Sequence, residues 1–240
     1  MAQTNKNKEN IKTIGEFVAE DYRTAETFEK YGIDFCCGGQ EILTAVCQEK
    51  GLDPDKVMQE IEATKKEPMQ RSENYGAWPL PFLIDYIVNT HHVYLKENDG
   101  QIAAYARKIA EVHGPHHPEV IEIATIFEKI ASDMTSHLKD EEEVFFPAIK
   151  RANAAVIVGQ EPEAQDRALV KSSLEKLRHE HEMIGDAIHE IRRLASDYAI
   201  PEDVCNTFVV TYSKLKEFEE DLHKHVHLEN NILFLKVAHL

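Results

Sequence analysis

Residues 137–146 read HLKDEEEVFF, and residues 225–234 read HVHLENNILF. The two stretches align without a gap: a histidine, a glutamate four places later, then bulky apolar residues. A spacing of four puts both polar side chains on one helical face, one turn apart. An imidazole and a carboxylate so placed can bind one metal or two neighbouring ones, and the apolar residues that follow bury the same face. A single pair of this kind on a helix is ordinarily a surface pair. Two in a repeated frame point to a buried metal layer inside a helical bundle.

The surrounding chain supports that frame. Apolar residues recur at threes and fours, as in Ile121, Ala124, Phe127 and Ile130. No Asn-Gly or Asp-Gly turn separates alternating runs, so strand signals are nearly absent. The periodicity predicts an all-α protein with four long helical segments, at roughly 81–112, 117–151, 167–197 and 202–238. Gly114, Pro115 and Pro118, then Gly159 to Pro162, then Pro201 break them. Short connections between long helices favour an up-down-up-down bundle.

In such a bundle the partners of the two repeated pairs must lie at matching height. The pairs sit about 9 to 14 residues before the ends of the second and fourth segments. His92 lies about 11 residues after the first start, and His181 about 14 after the third. At about 1.5 Å per residue, all fall about 15–20 Å from one end of the bundle. The candidate ligands are therefore His92, His137, Glu141, His181, His225 and Glu229. Nitrogen and oxygen donors without thiolate suit iron, manganese or zinc. Six are too many for one tetrahedral zinc, but they fit two metals bridged by carboxylates, with open positions left over.

The remaining histidines considered read as solvated. His91 points about 100° away from His92, and His179 and His227 lie two residues from proposed ligands on another face. His113, His116 and His117 fall in a turn, and His239 is terminal. His91 and His179 are placed to act as outer hydrogen-bond partners. Gly185 stands four residues after His181, where the other two motifs carry glutamate. It reads either as a helix-packing glycine or as space over the metals for a small ligand.

Ahead of the bundle (81–240) the sequence predicts a small helical domain (1–64) and a linker (65–80) rich in Pro, Gly and charge. Thr13 and Glu16 form a capping box for a first helix. Further helices are expected at about 24–31, 40–50 and 54–62, the last opened by Pro54. Cys36, Cys37, Gly38 and Gly39 fall at a turn or at the entry to the helix expected at about 40–50. A disulfide between adjacent cysteines closes a small strained ring and is easily reduced. The pair thus reads as a redox or iron-transfer site, or else as buried, inert thiols. Cys47 and Cys205 read as structural.

Composition narrows the partners. The formal net charge is −16 over 240 residues, which disfavours nucleic acid and anionic lipid. No apolar run approaches the roughly 20 residues that span a bilayer. The polar start MAQTNKNKEN is not a secretory signal, so a cytoplasmic location is expected.

These motifs together resemble the Repair of Iron Centres family, di-iron proteins of iron–sulfur cluster repair with a hemerythrin-like bundle. The resemblance rests on YGIDFCCGG at residues 31–39, SHLKDEE at 136–142, HVHLENNILF at 225–234, His92 after Asp85, and His181 before Glu182 and Gly185. It implies two non-haem, carboxylate-bridged iron ions. It also implies a stress-response role in repairing clusters damaged by nitrosative or oxidative stress, through iron donation or through removal or reduction of nitric oxide. Damaged iron–sulfur proteins and nitric oxide or dioxygen are the implied partners, and a homodimer is consistent with the family. A di-iron sensor or binding module for nitric oxide or dioxygen is the alternative. Oxygen-carrying hemerythrins place one more histidine four residues beyond a ligand. Here those places hold Gly185 or Lys96, which argues against a plain oxygen carrier.

Overall fold

Thr13 opens the first helix as the capping pattern requires. Its side chain accepts from the Glu16 N–H at 3.2 Å, and the Glu16 carboxylate accepts from the Thr13 N–H at 2.8 Å. The computed structural model describes residues 12–65, 74–238 and 240. The initial stretch MAQTNKNKEN, half of the expected linker (66–73) and His239 lie outside the described residues.

Among the described residues, four short helices come first: α1 (Ile14–Glu20), α2 (Thr24–Lys30), α3 (Leu43–Glu49) and α4 (Pro54–Thr64). Gly32, with φ +61°, takes the left-handed turn after α2 that glycine accepts without strain. Asp53 accepts from the Asp55 N–H, and Pro54 occupies the first turn of α4. Phe17, Phe28, Leu43, Cys47 and Ile61 form the buried centre of this part. Among the described residues there is no strand, only an isolated bridge between Thr13 and Ile42.

Four long helices follow. Helix α5 runs Leu80–Tyr86, then Ile87–His92, then Val93–His113. Helix α6 runs Glu119–Asp140, Glu141–Phe145 and Phe146–Ile157. Helix α7 is uninterrupted over Ala164–Leu194. Helix α8 runs Asn206–His227, Leu228–Leu233 and Phe234–Val237. The middle section of α5, α6 and α8 is π-helical, a widened turn with i→i+5 bonding that is rare and concentrates at functional sites.

Two compact units emerge from the packing, and they divide differently from the sequence segments. One contains the chain up to Leu83 together with the segment that begins at Val226. The other is Ile84–His225 with Leu240. Within the first unit, Asn231 at the end of α8 donates to the Phe35 carbonyl at 2.9 Å, and Asn230 donates to the Cys36 carbonyl at 3.3 Å. The final helical segment thus belongs with the cysteine-bearing part.

Within the second unit, side-chain pairs record an antiparallel register. Asp85 pairs with Lys150 and Arg107 with Glu128 between α5 and α6. Lys176 with Asp140, and Arg151 with Asp166, do the same between α6 and α7. Arg192 meets Glu219 between α7 and α8, and His91 meets Asp221 between α5 and α8. The exposed pairs among these, such as Arg107–Glu128 and Lys176–Asp140, contribute little energy individually. Stability comes from the apolar centre, where Ile102, Phe127, Ile130, Leu177, Ile188 and Phe218 are buried. Each such side chain contributes about 1.5–3 kcal/mol. Phe127 and Phe218 meet edge-on at 5.0 Å between ring centroids.

Candidate metal centre

Each long helix brings its polar side chains inward where its apolar stripe would otherwise continue. His92, His137, Glu141, His181, His225 and Glu229 are all at most 2% exposed. Six groups of this kind cannot be removed from water without compensating partners.

The bundle unit draws five of the six together. His92 Nε2 lies 3.1 Å from His225 Nε2, and His181 Nε2 lies 3.2 Å from His137 Nε2. The Glu141 carboxylate stands between these two imidazole pairs, with Oε2 3.4 Å from His92 Nε2 and 3.4 Å from His137 Nε2. The layer therefore consists of two imidazole pairs sharing one carboxylate. Glu229 lies on α8 four residues after His225, fully buried inside the π-helical section.

The π-helical sections coincide with these residues. His92 closes the one in α5, Glu141 opens the one in α6, and Glu229 is the second residue of the one in α8. A widened turn rotates the side chains that follow it and lets an extra residue face the centre. Nothing in the apolar periodicity signalled these sections.

Carboxylates outside the layer fix the rings. His92 Nδ1 lies 2.7 Å from Glu142 Oε1, and His137 Nδ1 lies 2.9 Å from Glu180 Oε2. A carboxylate on Nδ1 makes that nitrogen the N–H donor and leaves Nε2 with its lone pair directed inward. Lys96 and Lys176 in turn pair with these glutamates. For Glu142, burial pushes the carboxyl up, but hydrogen bonds from Lys96 and His92 outweigh it and hold the group low. For Glu180, the His137 hydrogen bond leads and also lowers it. Sequence reading missed both residues. Their only local signal is adjacency: Glu142 follows Glu141, and Glu180 precedes His181.

The other histidines divide. His91 is buried, with Nδ1 2.9 Å from Asp221 Oδ1, so His92 and not His91 belongs to the layer. His179 is exposed, as expected. His227 departs from the solvated reading. It is fully buried, 3.1 Å from Asn231 Nδ2 and packed by Tyr22 and Phe35. Gly185 is buried on α7, one turn beyond His181.

Cys36 and Cys37 are free thiols with sulfurs 3.8 Å apart. Asp34 organises the turn: its Oδ1 accepts from the N–H of Cys36 at 2.9 Å and of Cys37 at 3.0 Å, and lies 3.2 Å from the Cys36 sulfur. The adjacent Cys37, burial and the Asp34 charge push the Cys36 thiol well above its usual range, so it stays protonated at neutral pH. Cys47 is buried, and its thiol is also raised, by burial first. Cys205 departs from a structural reading. It is exposed at the entry to α8, 3.1 Å from His113 Nε2. That hydrogen bond, aided by the N–H groups of Phe208 and Thr207, lowers the thiol to about 7.

The donor set fits a pair of transition ions: inward-facing imidazoles from four helices share a carboxylate, and thiolates are absent from the layer. Comparison with known proteins agrees on the type of domain. Residues 83–237 match the hemerythrin HHE cation-binding domain, and residues 10–65 match the ScdA N-terminal domain, described as a domain of unknown function. The chain is 33% identical to the iron–sulfur cluster repair protein ScdA of Staphylococcus epidermidis over 96% of this chain and 99% of that one. It is 30% identical to ScdA of Staphylococcus haemolyticus over 95% and 99% of the two chains. It is also 30% identical to the iron–sulfur cluster repair protein YtfE of Yersinia pestis over 88% and 90%. This chain belongs to the ScdA and YtfE family of hemerythrin-type proteins.

Proposed function

We propose that this protein repairs iron–sulfur clusters damaged by nitrosative or oxidative stress, using two iron ions held by His92, His137, Glu141, His181, His225 and Glu229. The observation that carries the iron assignment is the position of Glu141, equidistant from His92 Nε2 and His137 Nε2 at 3.4 Å. A carboxylate so placed serves both imidazole pairs and is suited to bridge. Glu229, buried one turn beyond His225, is assigned the second carboxylate. The names of the similar ScdA and YtfE proteins support the repair role.

An iron pair held there would supply positions for nitric oxide or dioxygen. The chain's own residues do the rest. Glu142 and Glu180 hold their imidazoles in the ligating tautomer, and the apolar residues around the layer exclude bulk water. Cys36 and Cys37, as a reduced dithiol, are assigned a redox or iron-transfer role.

Iron analysis of anaerobically purified protein tests the first part, and reactivation of a nitric oxide-damaged [4Fe–4S] enzyme tests the second. About two irons per chain and restored activity are expected. Protein with no iron, or one that leaves the damaged enzyme inactive, would sink the reading.

A further inference from the structure

A second cluster of ligating side chains lies in the same bundle unit, outside the layer just described. His189 on α7 faces Glu219 and His223 on α8, and one ligating atom from each lies within 4.8 Å of the others. Glu219 and His223 are four residues apart, so they share a helical face. Their closest atoms, Glu219 Oε1 and His223 Nε2, are 3.8 Å apart, and the His189 and His223 rings are 5.8 Å apart. Glu219 is fully buried, His223 is 7% exposed and His189 is half-buried.

We propose that His189, Glu219 and His223 form a separate site for one divalent first-row transition ion. Two imidazoles and one carboxylate, with the remaining positions open, are the donor set of exchangeable zinc and ferrous sites. Nitrogen donors exclude a calcium or magnesium preference, since those ions select oxygen. Helical rise separates this site from the first: His189 follows His181 by eight residues on α7, roughly 12 Å along the axis.

Glu219 has other partners, and they shape the prediction. Arg192 Nε donates to its Oε1 at 2.8 Å, and Tyr198 donates to its Oε2 at 2.7 Å. The guanidinium neutralises the carboxylate, so binding rests mainly on the two imidazoles. The resulting site is weaker than the six-residue layer and exchanges its ion. The half-buried His189 marks the side from which an ion enters.

The test uses cobalt(II) as a spectroscopic probe, added to full-length protein already loaded with iron. Wild-type protein is expected to take up one cobalt beyond its iron, with visible d–d bands. The His189→Ala and His223→Ala variants are expected to lose that equivalent while their iron content stays unchanged, and the half-buried His189→Ala is expected to keep its melting temperature as well. Equal cobalt binding by wild type and both variants, or none by wild type, would overturn the proposal. Iron analysis of the same samples reports on the first site independently. Because the readout is the difference between wild type and the histidine variants, a failure of the di-iron reading does not mimic a failure of this one.

Discussion

His137 Nδ1 lies 2.9 Å from Glu180 Oε2, linking α6 to α7 through the back of an imidazole whose other nitrogen faces His181 in the buried histidine layer. Glu180 thus acts on the layer without entering it. It fixes which nitrogen of His137 carries the proton and raises the basicity of the other.

Removal of that carboxylate should weaken metal binding without unfolding the bundle. Glu180→Ala is expected to lower iron affinity about 10–100-fold, measured by competition with a chelator. Glu142→Ala should behave alike through His92. Glu175→Ala, on an exposed position of the same helix, should change nothing.

The thiols should separate by reactivity. Cys205 sits at about 7, so its alkylation rate should level off near pH 8. Cys36, held well above the usual range, should stay slow there. In His113→Ala the Cys205 thiol returns toward about 8.5. Lost thiolate is partly offset by greater nucleophilicity, so the rate at pH 7 should fall about threefold. Iodoacetamide labelling read by peptide mass spectrometry checks both points.

Gly39 should not tolerate a side chain. A Cβ there would lie 2.6 Å from Asn231 Oδ1 and 2.7 Å from the Phe35 carbonyl oxygen. The backbone and Asn231 must shift to admit it, and Gly39→Ala is expected to cost about 1–3 kcal/mol. Thermal melting against wild type measures the loss. Gly32→Asn, at a turn with open space around it, serves as a mild control.

Asp21 should contribute to acid sensitivity. Its carboxylate accepts from Arg23 Nε at 2.9 Å and from the guanidinium Nη2 at 2.6 Å. The Arg23 hydrogen bond lowers its pKa in the folded state. The stabilisation is therefore fully present above the unfolded value of about 3.9 and lost as pH falls through the lower folded value. Arg23 is partly exposed, so the pair contributes about 0.5–1 kcal/mol. Asp21→Asn should melt lower than wild type at pH 7, and the gap should close below about pH 4.

What the sequence determined by itself was local. The Thr13–Glu16 capping box, Pro54 at a helix start, the long helices and the two four-residue His–Glu spacings all follow from hydrogen bonding and side-chain geometry within about one turn of chain. That was enough to name a layer of candidate ligands on four helices, because helical rise converts sequence position into height. The tertiary structure decided everything that needed a partner far along the chain. It chose His92 over His91, since one ring turns toward Glu141 and the other toward Asp221, 130 residues away. It selected Glu142 and Glu180 from a chain rich in carboxylates and buried His227 against Tyr22 and Phe35. It also set His189 across from Glu219 and His223, three residues the sequence reading had passed over. The physical reason is that a helix fixes which residues share its own face, whereas the register and rotation of one helix against another are set by the packing of whole apolar surfaces.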